Sequence, residues 1–347
     1  MKNIHKNYSL KNLNTFGIDV KAKQFVQITS EAELQEILFH PQVDKNNLFI
    51  IGGGSNLLFI NDFDGTILKN EIKGVSEQKL DNRKVLLSVG AGENWDDIVN
   101  YAVRKNYYGI ENLSLIPGSA GAAPIQNIGA YGSELKDVFH SLEGYFVDTF
   151  EKKTFYLEDC DFDYRDSIFK RELKGKLIIT KINLILSLEK KINLTYAVLK
   201  AYFEEKNIAN PLLQQVREAV INIRKSKLPD PAKLGNAGSF FKNPKVSKEE
   251  LDKLKEKYPG IPFYPSEKKF FKIAAGWLIE KAGLKGKRIG NVGTHNEQAL
   301  VIVNYGGATG QEILEFAKHI QQKVLDEFGI LLQPEVNIIN HNQRELL

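Results

Sequence analysis

An α+β fold of more than one domain is predicted by three observations. Strand-like and amphipathic helical runs follow one another in mixed order, with no fixed-period repeat. Two of the strands open directly into glycine turns. The chain, at 347 residues, is long enough for two or three domains with sizeable cores.

Taken in order, "QFVQI" (24–28) reads as a strand. Ser30 and Glu33 then form a capping box ahead of Leu34, Ile37 and Leu38, the apolar face of a helix. "LFIIGGGSNLLF" (48–59) is an apolar strand that enters a glycine turn and leaves it again. "KVLLSVGAG" (84–92) repeats the theme. From Asn94 a helix carries Trp95, Ile98, Val99 and Ala102 on one face. A long stretch, 107–133, is rich in Gly, Ala, Pro and Asn and shows no period. Residues 177–188 place Ile178, Ile182, Leu184, Leu186 and Leu188 at even spacing, a long strand. A helical segment within 205–228 ends in "RKSKLPDP", a proline-marked boundary.

The last third reads as another α+β unit. Ser247 with Glu250 opens one helix, and 272–282 is expected to form a second. "ALVIV" (299–303) is a strand. Thr309 with Glu312 caps a long helix that carries Ile313, Phe316, Ile320, Val324 and Phe328 and stops at Gly329. Residues 330–339 read as a final strand interrupted by proline.

Composition narrows the function. Hydrophobic content of 42% and charged content of 26% are globular values, and 47 basic against 43 acidic residues leave a net charge of +4. That balance, without a Lys/Arg run, argues against nucleic acid as a partner. A local basic pocket for an anionic small molecule is compatible with it. The single cysteine, Cys160, precludes an intramolecular disulfide or a thiolate cluster and sits among acidic residues that disfavour a reactive thiolate. The six histidines are scattered without metal-ligand spacing, so no metal is expected. With no apolar leader and no window of about 18 apolar residues, a cytoplasmic protein without membrane partners is expected.

The glycine turns "IGGGSN" (51–56) and "VGAGEN" (89–94) follow strands but do not complete a dinucleotide fingerprint. Leu57 and Trp95 stand where a third glycine would fall. Glycine admits positive φ and close approach of backbone N–H groups to a ligand, although each turn alone reads first as a tight turn. The segment "GIENLSLIPGSAGAAPIQNIGAYG" (109–132) shifts the balance. So long an irregular stretch is uncommon unless it binds something. Its small side chains and the pair Gln126/Asn127 suit a flat phosphate-bearing ligand, and three such segments in one half of the chain point to a bound nucleotide.

The motifs "NTFGID" (14–19), "IGGGSNLL" (51–58), "IPGSAGAAPIQNIGAYG" (116–132), "YRDSIFK" (164–170), "GNAGSFFKNP" (235–244), "AAGWLIEKAGLKG" (274–286) and "QPEV" (333–336) occur in this order. The series closely resembles the UDP-N-acetylenolpyruvoylglucosamine reductase family and covers nearly the whole chain. The resemblance implies a vanillyl-alcohol-oxidase-type (PCMH-type) FAD-binding fold, with two α+β subdomains and a C-terminal α+β domain covering the substrate. In this sequence those become 1–70, to which a strand in 330–347 returns, then 71–222, and then 223–329. It implies non-covalent FAD, because the loops contain neither His nor Cys for attachment. The implied cofactor contacts are Gly52, Gly53, Gly54, Ser55, Asn56 and Leu57, then Pro117, Gly118, Ser119, Gly121 and Ala122, and then Gln126, Asn127, Gly129, Ala130 and Tyr131. "LTYAVLK" (194–200) resembles the longer class of the family, in which a tyrosine loop closes over the UDP-sugar, with Tyr196 in that position.

The activity so implied is reduction of UDP-N-acetylglucosamine enolpyruvate to UDP-N-acetylmuramate, with NADPH as co-substrate, by a monomer. Hydride reaches the vinyl carbon, charge gathers on the pyruvyl carboxylate as an enolate, and a proton must arrive at the adjacent carbon. Such a site needs a cation or acid at the enolate and one placed proton donor. On the residues alone, Arg165 reads first as a surface arginine paired with Asp163 or Asp166. The resemblance makes it the carboxylate-binding cation, a role suited to its permanent charge and bidentate fork. Glu335, beside Pro334 in an apolar strand, is either an exposed edge residue or an acid working in a dry site. The resemblance pairs it with Arg165. Ser239 reads locally as a turn serine, and the resemblance makes it the proton donor. Lys227, otherwise a solvated linker lysine, matches a phosphate contact, and Asn243 a contact to the UDP part. Some relatives carry an arginine two residues beyond the glutamate; this chain has Asn337. The rival readings are an oxidase or dehydrogenase of the same fold and a nucleotide-sugar binder that has lost the flavin.

Overall fold

The helices start where side chains supply the missing acceptors for their first N–H groups. The structure, a computed structural model, describes residues 4–266 and 269–340. At α1 (Glu31–Leu38) Ser30 Oγ accepts the Glu33 N–H at 3.2 Å. The Glu33 carboxylate reaches back one residue beyond Ser30, accepting from the Thr29 N–H at 2.6 Å and hydroxyl at 2.8 Å. At α2 (Trp95–Arg104) Asn94 Oδ1 accepts from the N–H groups of Asp96 and Asp97, and Trp95, Ile98, Val99, Ala102 and Val103 are buried. Two further helices, α3 (Ala197–Glu205) and α4 (Leu213–Lys227), pack through Leu199, Phe203, Val216, Val220 and Ile223.

The chain divides into two compact units, and the last division falls at Ser226/Lys227, in the proline-marked segment. The first comprises Met1–Tyr8, Ala22–Gly54 and Asp64–Ser226. It holds a four-stranded sheet ordered His5–Ser9, Lys21–Ile28, Phe63–Asn70, Leu48–Ile51. Its second sheet is five-stranded and antiparallel, ordered Lys152–Tyr156, Phe139–Phe146, Leu177–Ser187, Lys84–Gly90, Val75–Lys79. The central strand Leu177–Ser187 is buried at Ile178, Ile179, Ile182, Leu184 and Leu186, packed from both faces. Burial pushes the lone Cys160 thiol up to about 12, first by desolvation and then by Asp159 and Glu158, so it behaves as a core residue.

The second unit comprises Ser9–Lys21, Ser55–Phe63 and Lys227–Leu347. A four-stranded sheet runs Gly235–Ser239, Val301–Asn304, Val292–Thr294, Arg288–Ile289. A three-stranded sheet runs Lys245–Val246, Phe271–Ile273, Phe263–Pro265. The helices are α5 (Lys248–Lys257), with a full capping box from Ser247 and Glu250, α6 (Ala275–Lys281) and α7 (Gly310–Phe328). Thr309 and Glu312 cap α7, Gly329 ends it at φ +70°, and Ile313, Leu314, Phe316, Ala317, Ile320 and Val324 form its buried face. Gly310 is required where α7 meets the strand Leu57–Phe59, because a Cβ there would lie 1.9 Å from the Phe59 carbonyl oxygen.

Two expected elements are shorter in the structure. The helix expected over 272–282 begins at Ala275, because Phe271–Ile273 pairs as a strand on both sides and Asn243 Oδ1 then accepts the Ala275 N–H at 2.9 Å. The final strand is confined to Asn337–Ile339, parallel to Leu57–Phe59. Pro334 lacks the N–H a ladder needs, so it makes only an isolated bridge to Phe241. Residues 341–347 of the expected terminal strand lie outside the described residues. No helix among the described residues is long and apolar enough to cross a membrane.

One ion pair within the first unit bears on the ligand loops. Arg217 on α4, buried at 7% exposure, donates to both oxygens of Asp96 at 2.7 and 2.9 Å, and Asp96 also accepts the Leu115 N–H. Burial pushes the Asp96 carboxyl up, but these bonds outweigh it and hold the group below its usual range. Replacing Arg217 by Met leaves that carboxylate uncompensated and is expected to cost about 3 kcal/mol at pH 7. For an acid with a depressed folded-state pKa, this contribution is present above the unfolded value and lost as pH falls through the folded one. The difference between variant and wild type in urea unfolding should therefore shrink below about pH 4.

Candidate active site

In the first unit, the glycine turn and the 116–122 segment touch backbone to backbone. A Cβ on Gly53 would lie 2.8 Å from Gly118 Cα, and one on Gly52 would lie 1.9 Å from Ser119 Oγ. Residues 118–121 lie against 91–95. Trp95 donates to the Gly118 carbonyl at 3.0 Å, Ala120 to Glu93 at 2.8 Å and Gly121 to Ala91 at 2.9 Å. These glycines therefore first allow two loops to meet. Gly54 (φ +65°), Leu115 (+58°), Gly118 (+127°), Asn127 (+41°), Tyr131 (+48°) and Gly132 (+82°) all adopt left-handed backbone, concentrated in these segments. Asn127 has no exposed surface. Its Nδ2 donates to Glu134 and to the Asp163 carbonyl, and its Oδ1 accepts the Lys136 N–H, so its side chain is engaged by the protein.

Around Tyr131 the same unit gathers several expected site residues. Asn112 Nδ2 donates to the carbonyls of Tyr131 and Asn193, each at 2.9 Å, and Asn193 Nδ2 donates to the Gly132 carbonyl at 2.8 Å. These bonds hold the 129–134 turn against 193–196 and bring the Tyr131 and Tyr196 rings edge to face at 5.5 Å. Tyr196 immediately precedes α3 and is 39% exposed. Arg165 (φ +56°) sits in the turn closed by the Asp163–Asp166 bridge. Its Nη2 donates to the Gly129 carbonyl at 2.6 Å, and its guanidinium lies 5.4 Å from the Tyr164 ring centroid. Asp166 pairs with Arg171.

Arg224, on α4, was not singled out in the sequence. It is half-buried as a whole, but its Nε is sealed from water and has no partner among the described residues, as is Asn112 Oδ1. Burial, reinforced by the charge of Arg165, pushes the Arg224 pKa below its usual value while the Tyr131 hydroxyl opposes the shift. Two guanidiniums close enough to feel each other's charge form an anion-seeking environment. The signal that could have flagged Arg224 is its spacing of three from Lys227 in one helical segment.

In the second unit the backbone pairs the segment that follows Ser239 with the segment that carries Glu335. The Glu335 N–H donates to the Phe240 carbonyl at 2.8 Å, and the Lys242 N–H to the Gln333 carbonyl at 2.9 Å. Phe240 and Phe241 beside them are buried at 0% and 1% exposure. Asn56, at the end of the glycine turn, donates through Nδ2 to the Glu335 carbonyl at 3.1 Å. Its own carbonyl accepts from the Asn337 N–H and Nδ2, both at 3.1 Å. Asn337 thus anchors the Glu335 strand to Asn56 within the second unit. Lys227 is exposed at the end of α4, and Asn243 Oδ1 accepts the Ala275 N–H.

Comparison with known proteins adds five findings. A family model described as UDP-N-acetylenolpyruvoylglucosamine reductase, C-terminal domain, matches residues 230–339, and one described as FAD binding domain matches 22–148. A protein named UDP-N-acetylenolpyruvoylglucosamine reductase from Flavobacterium johnsoniae is 48% identical over 97% of this chain and 99% of its own length. One of the same name from Amoebophilus asiaticus is 46% identical, again over 97% and 99%. The crystal structure of the Thermus caldophilus UDP-N-acetylenolpyruvylglucosamine reductase superimposes with a TM-score of 0.67 at 23% identity, over 97% of this chain and 99% of that one, a likeness of fold.

Gly53→Ala tests the loop contact. The added methyl must displace the Gly118 backbone, so the variant is expected to stay folded but to bind FAD at least about tenfold more weakly, read by recovery of flavin fluorescence on dilution.

Proposed function

The chain belongs to the UDP-N-acetylenolpyruvoylglucosamine reductase family, and on that premise we propose that it reduces UDP-N-acetylglucosamine enolpyruvate to UDP-N-acetylmuramate for peptidoglycan synthesis. In this reading it acts with NADPH and non-covalent FAD as a cytoplasmic monomer. The observation that supports the mechanism is the backbone pairing of Glu335 with Phe240, the residue after Ser239.

The residues present fit a flavin. Arg224 Nε and Asn112 Oδ1 are a buried donor and a buried acceptor without partners, both beside Tyr131. A ring edge that alternates carbonyl and N–H answers both needs. The segments proposed to hold it are 52–57, 117–122 and 126–131, with Asn127 contributing backbone and fold rather than its side chain. When bound, FAD supplies the hydride acceptor for NADPH and the hydride donor for the vinyl group.

The protein then has three tasks. Arg165, always charged, binds the enolpyruvyl carboxylate and stabilises the charge that grows on it. Glu335 acts with it at the enolate. Ser239 delivers a proton to the carbon bearing the carboxylate, a step in which a placed general acid accounts for about 10²–10⁴-fold in rate. Tyr196, Lys227 and Asn243 hold the UDP part, with Lys227 at the phosphates. Any contact made by an arginine at that position in relatives is not carried over; Asn337 here donates to the Asn56 carbonyl.

Purified protein is expected to be yellow and to turn NADPH over, beyond the amount that reduces its own flavin, only when the enolpyruvyl sugar is present. Colourless protein would support a flavin-free binder, and no substrate-dependent oxidation by flavin-loaded protein would overturn the reductase reading. Arg224→Met should lower FAD affinity about tenfold or more, measured by fluorescence titration of the apoprotein.

A further inference from the structure

Asn236 is buried at 4% exposure three residues before Ser239, and all its polar atoms are engaged. Its Oδ1 accepts the Gly238 N–H at 2.9 Å. Its Nδ2 donates to the carbonyls of Leu234 at 2.8 Å and Pro229 at 3.2 Å, and its N–H donates to the Thr15 carbonyl at 3.0 Å. These bonds surround an irregularity in the ladder. Asn236 faces Val303 and Ser239 faces Val301, so Ala237 and Gly238 together face the single residue between them. That is a β-bulge, and Gly238 at φ +71° is the residue that permits it. Side chains alternate faces along a strand, so gaining or losing one residue turns every following side chain to the opposite face. The bulge therefore decides which face receives the Ser239 hydroxyl.

We propose that Asn236 is a positioning residue for proton delivery by Ser239, its side-chain amide locking the bulge that aims the hydroxyl. The inference rests on the reading of Ser239 as proton donor. Removing Oδ1 frees the Gly238 N–H, and the glycine can then relax toward regular pairing with a different hydroxyl direction. The Thr15 contact survives any substitution because it uses the Asn236 backbone, so the strand stays docked to the 14–18 loop.

The test compares Asn236→Ala, Gly238→Ala and Ser239→Ala as flavin-loaded proteins. Gly238→Ala perturbs the same bulge independently: its methyl group meets open space, but the left-handed backbone strains it. Stopped-flow absorbance reads flavin reduction by NADPH and, separately, reoxidation by UDP-N-acetylglucosamine enolpyruvate. Amide hydrogen exchange reads the bulge itself. Asn236→Ala is expected to slow reoxidation about 10–100-fold, the scale of a small misplacement of a catalytic group. Reduction by NADPH should stay within about twofold. The Gly238 amide should exchange faster, and Asn236→Ala should add no loss to Ser239→Ala. Gly238→Ala should show the same selective loss, so the test stands even if Asn236→Ala does not fold. Wild-type reoxidation in both bulge variants, or equal slowing of both half-reactions, would overturn the positioning role while a slow Ser239→Ala leaves the donor in place. Wild-type reoxidation in Ser239→Ala would overturn the donor reading itself.

Discussion

The hydrogen bond from the Glu335 N–H to the Phe240 carbonyl joins two segments that are far apart in the chain, and the proposed chemistry depends on it. Neither residue it serves is chemically unusual alone. A serine hydroxyl is a weak acid, and a glutamate beside a proline is often an edge residue. On the proposed reading they act as a proton source and a second polar group, carried on segments that pair at buried Phe240 and Phe241. The close-packed phenylalanines make the arrangement stiff, which is what orientation-based catalysis requires.

The rest of the second unit reads as support for that pair. Asn56 and Asn337 clasp the Glu335 strand to the end of the glycine turn through three hydrogen bonds at 3.1 Å. Asn304 Nδ2 takes the Phe16 carbonyl while its Oδ1 accepts the N–H groups of Gly306 and Ala308. A Cβ on Gly235 would lie 2.4 Å from that same Phe16 oxygen. The short N-terminal loop is therefore a wall against which the Ser239 strand is laid. The first unit follows a different logic: glycine lets backbones meet, and the unpartnered Arg224 Nε and Asn112 Oδ1 supply the polar demand that a ligand edge can meet.

Local chemistry was legible in the sequence and long-range pairing was not. Asn94, Ser247 and Thr309 announced their helices because a cap and its N–H groups lie within three residues of each other. The even apolar spacing of 177–188 announced the central strand for the same reason. The shortened last strand was hidden, since only the partner Leu57–Phe59 and the missing N–H of Pro334 decide where pairing stops. Nothing in composition marks Ser9–Lys21 and Ser55–Phe63 as belonging with the C-terminal third. Among the proposed site residues, Ser239, Arg165 and Glu335 were singled out through ordered motifs, whereas their local properties pointed to ordinary surface or turn roles. Arg224 and Asn236 escaped because their significance lies in an absent partner and in a ladder slip, both properties of the folded chain.

A double-mutant cycle on flavin reoxidation tests the central pairing most directly. Ser239→Ala, Glu335→Gln and the double variant are each reduced by NADPH and then mixed with UDP-N-acetylglucosamine enolpyruvate. If the two side chains serve one step as a unit, each single variant slows reoxidation strongly, and the double variant is little slower than the worse single one. Reduction by NADPH stays near the wild-type rate in all three. Losses that multiply in the double variant, or that fall equally on both half-reactions, would contradict the account.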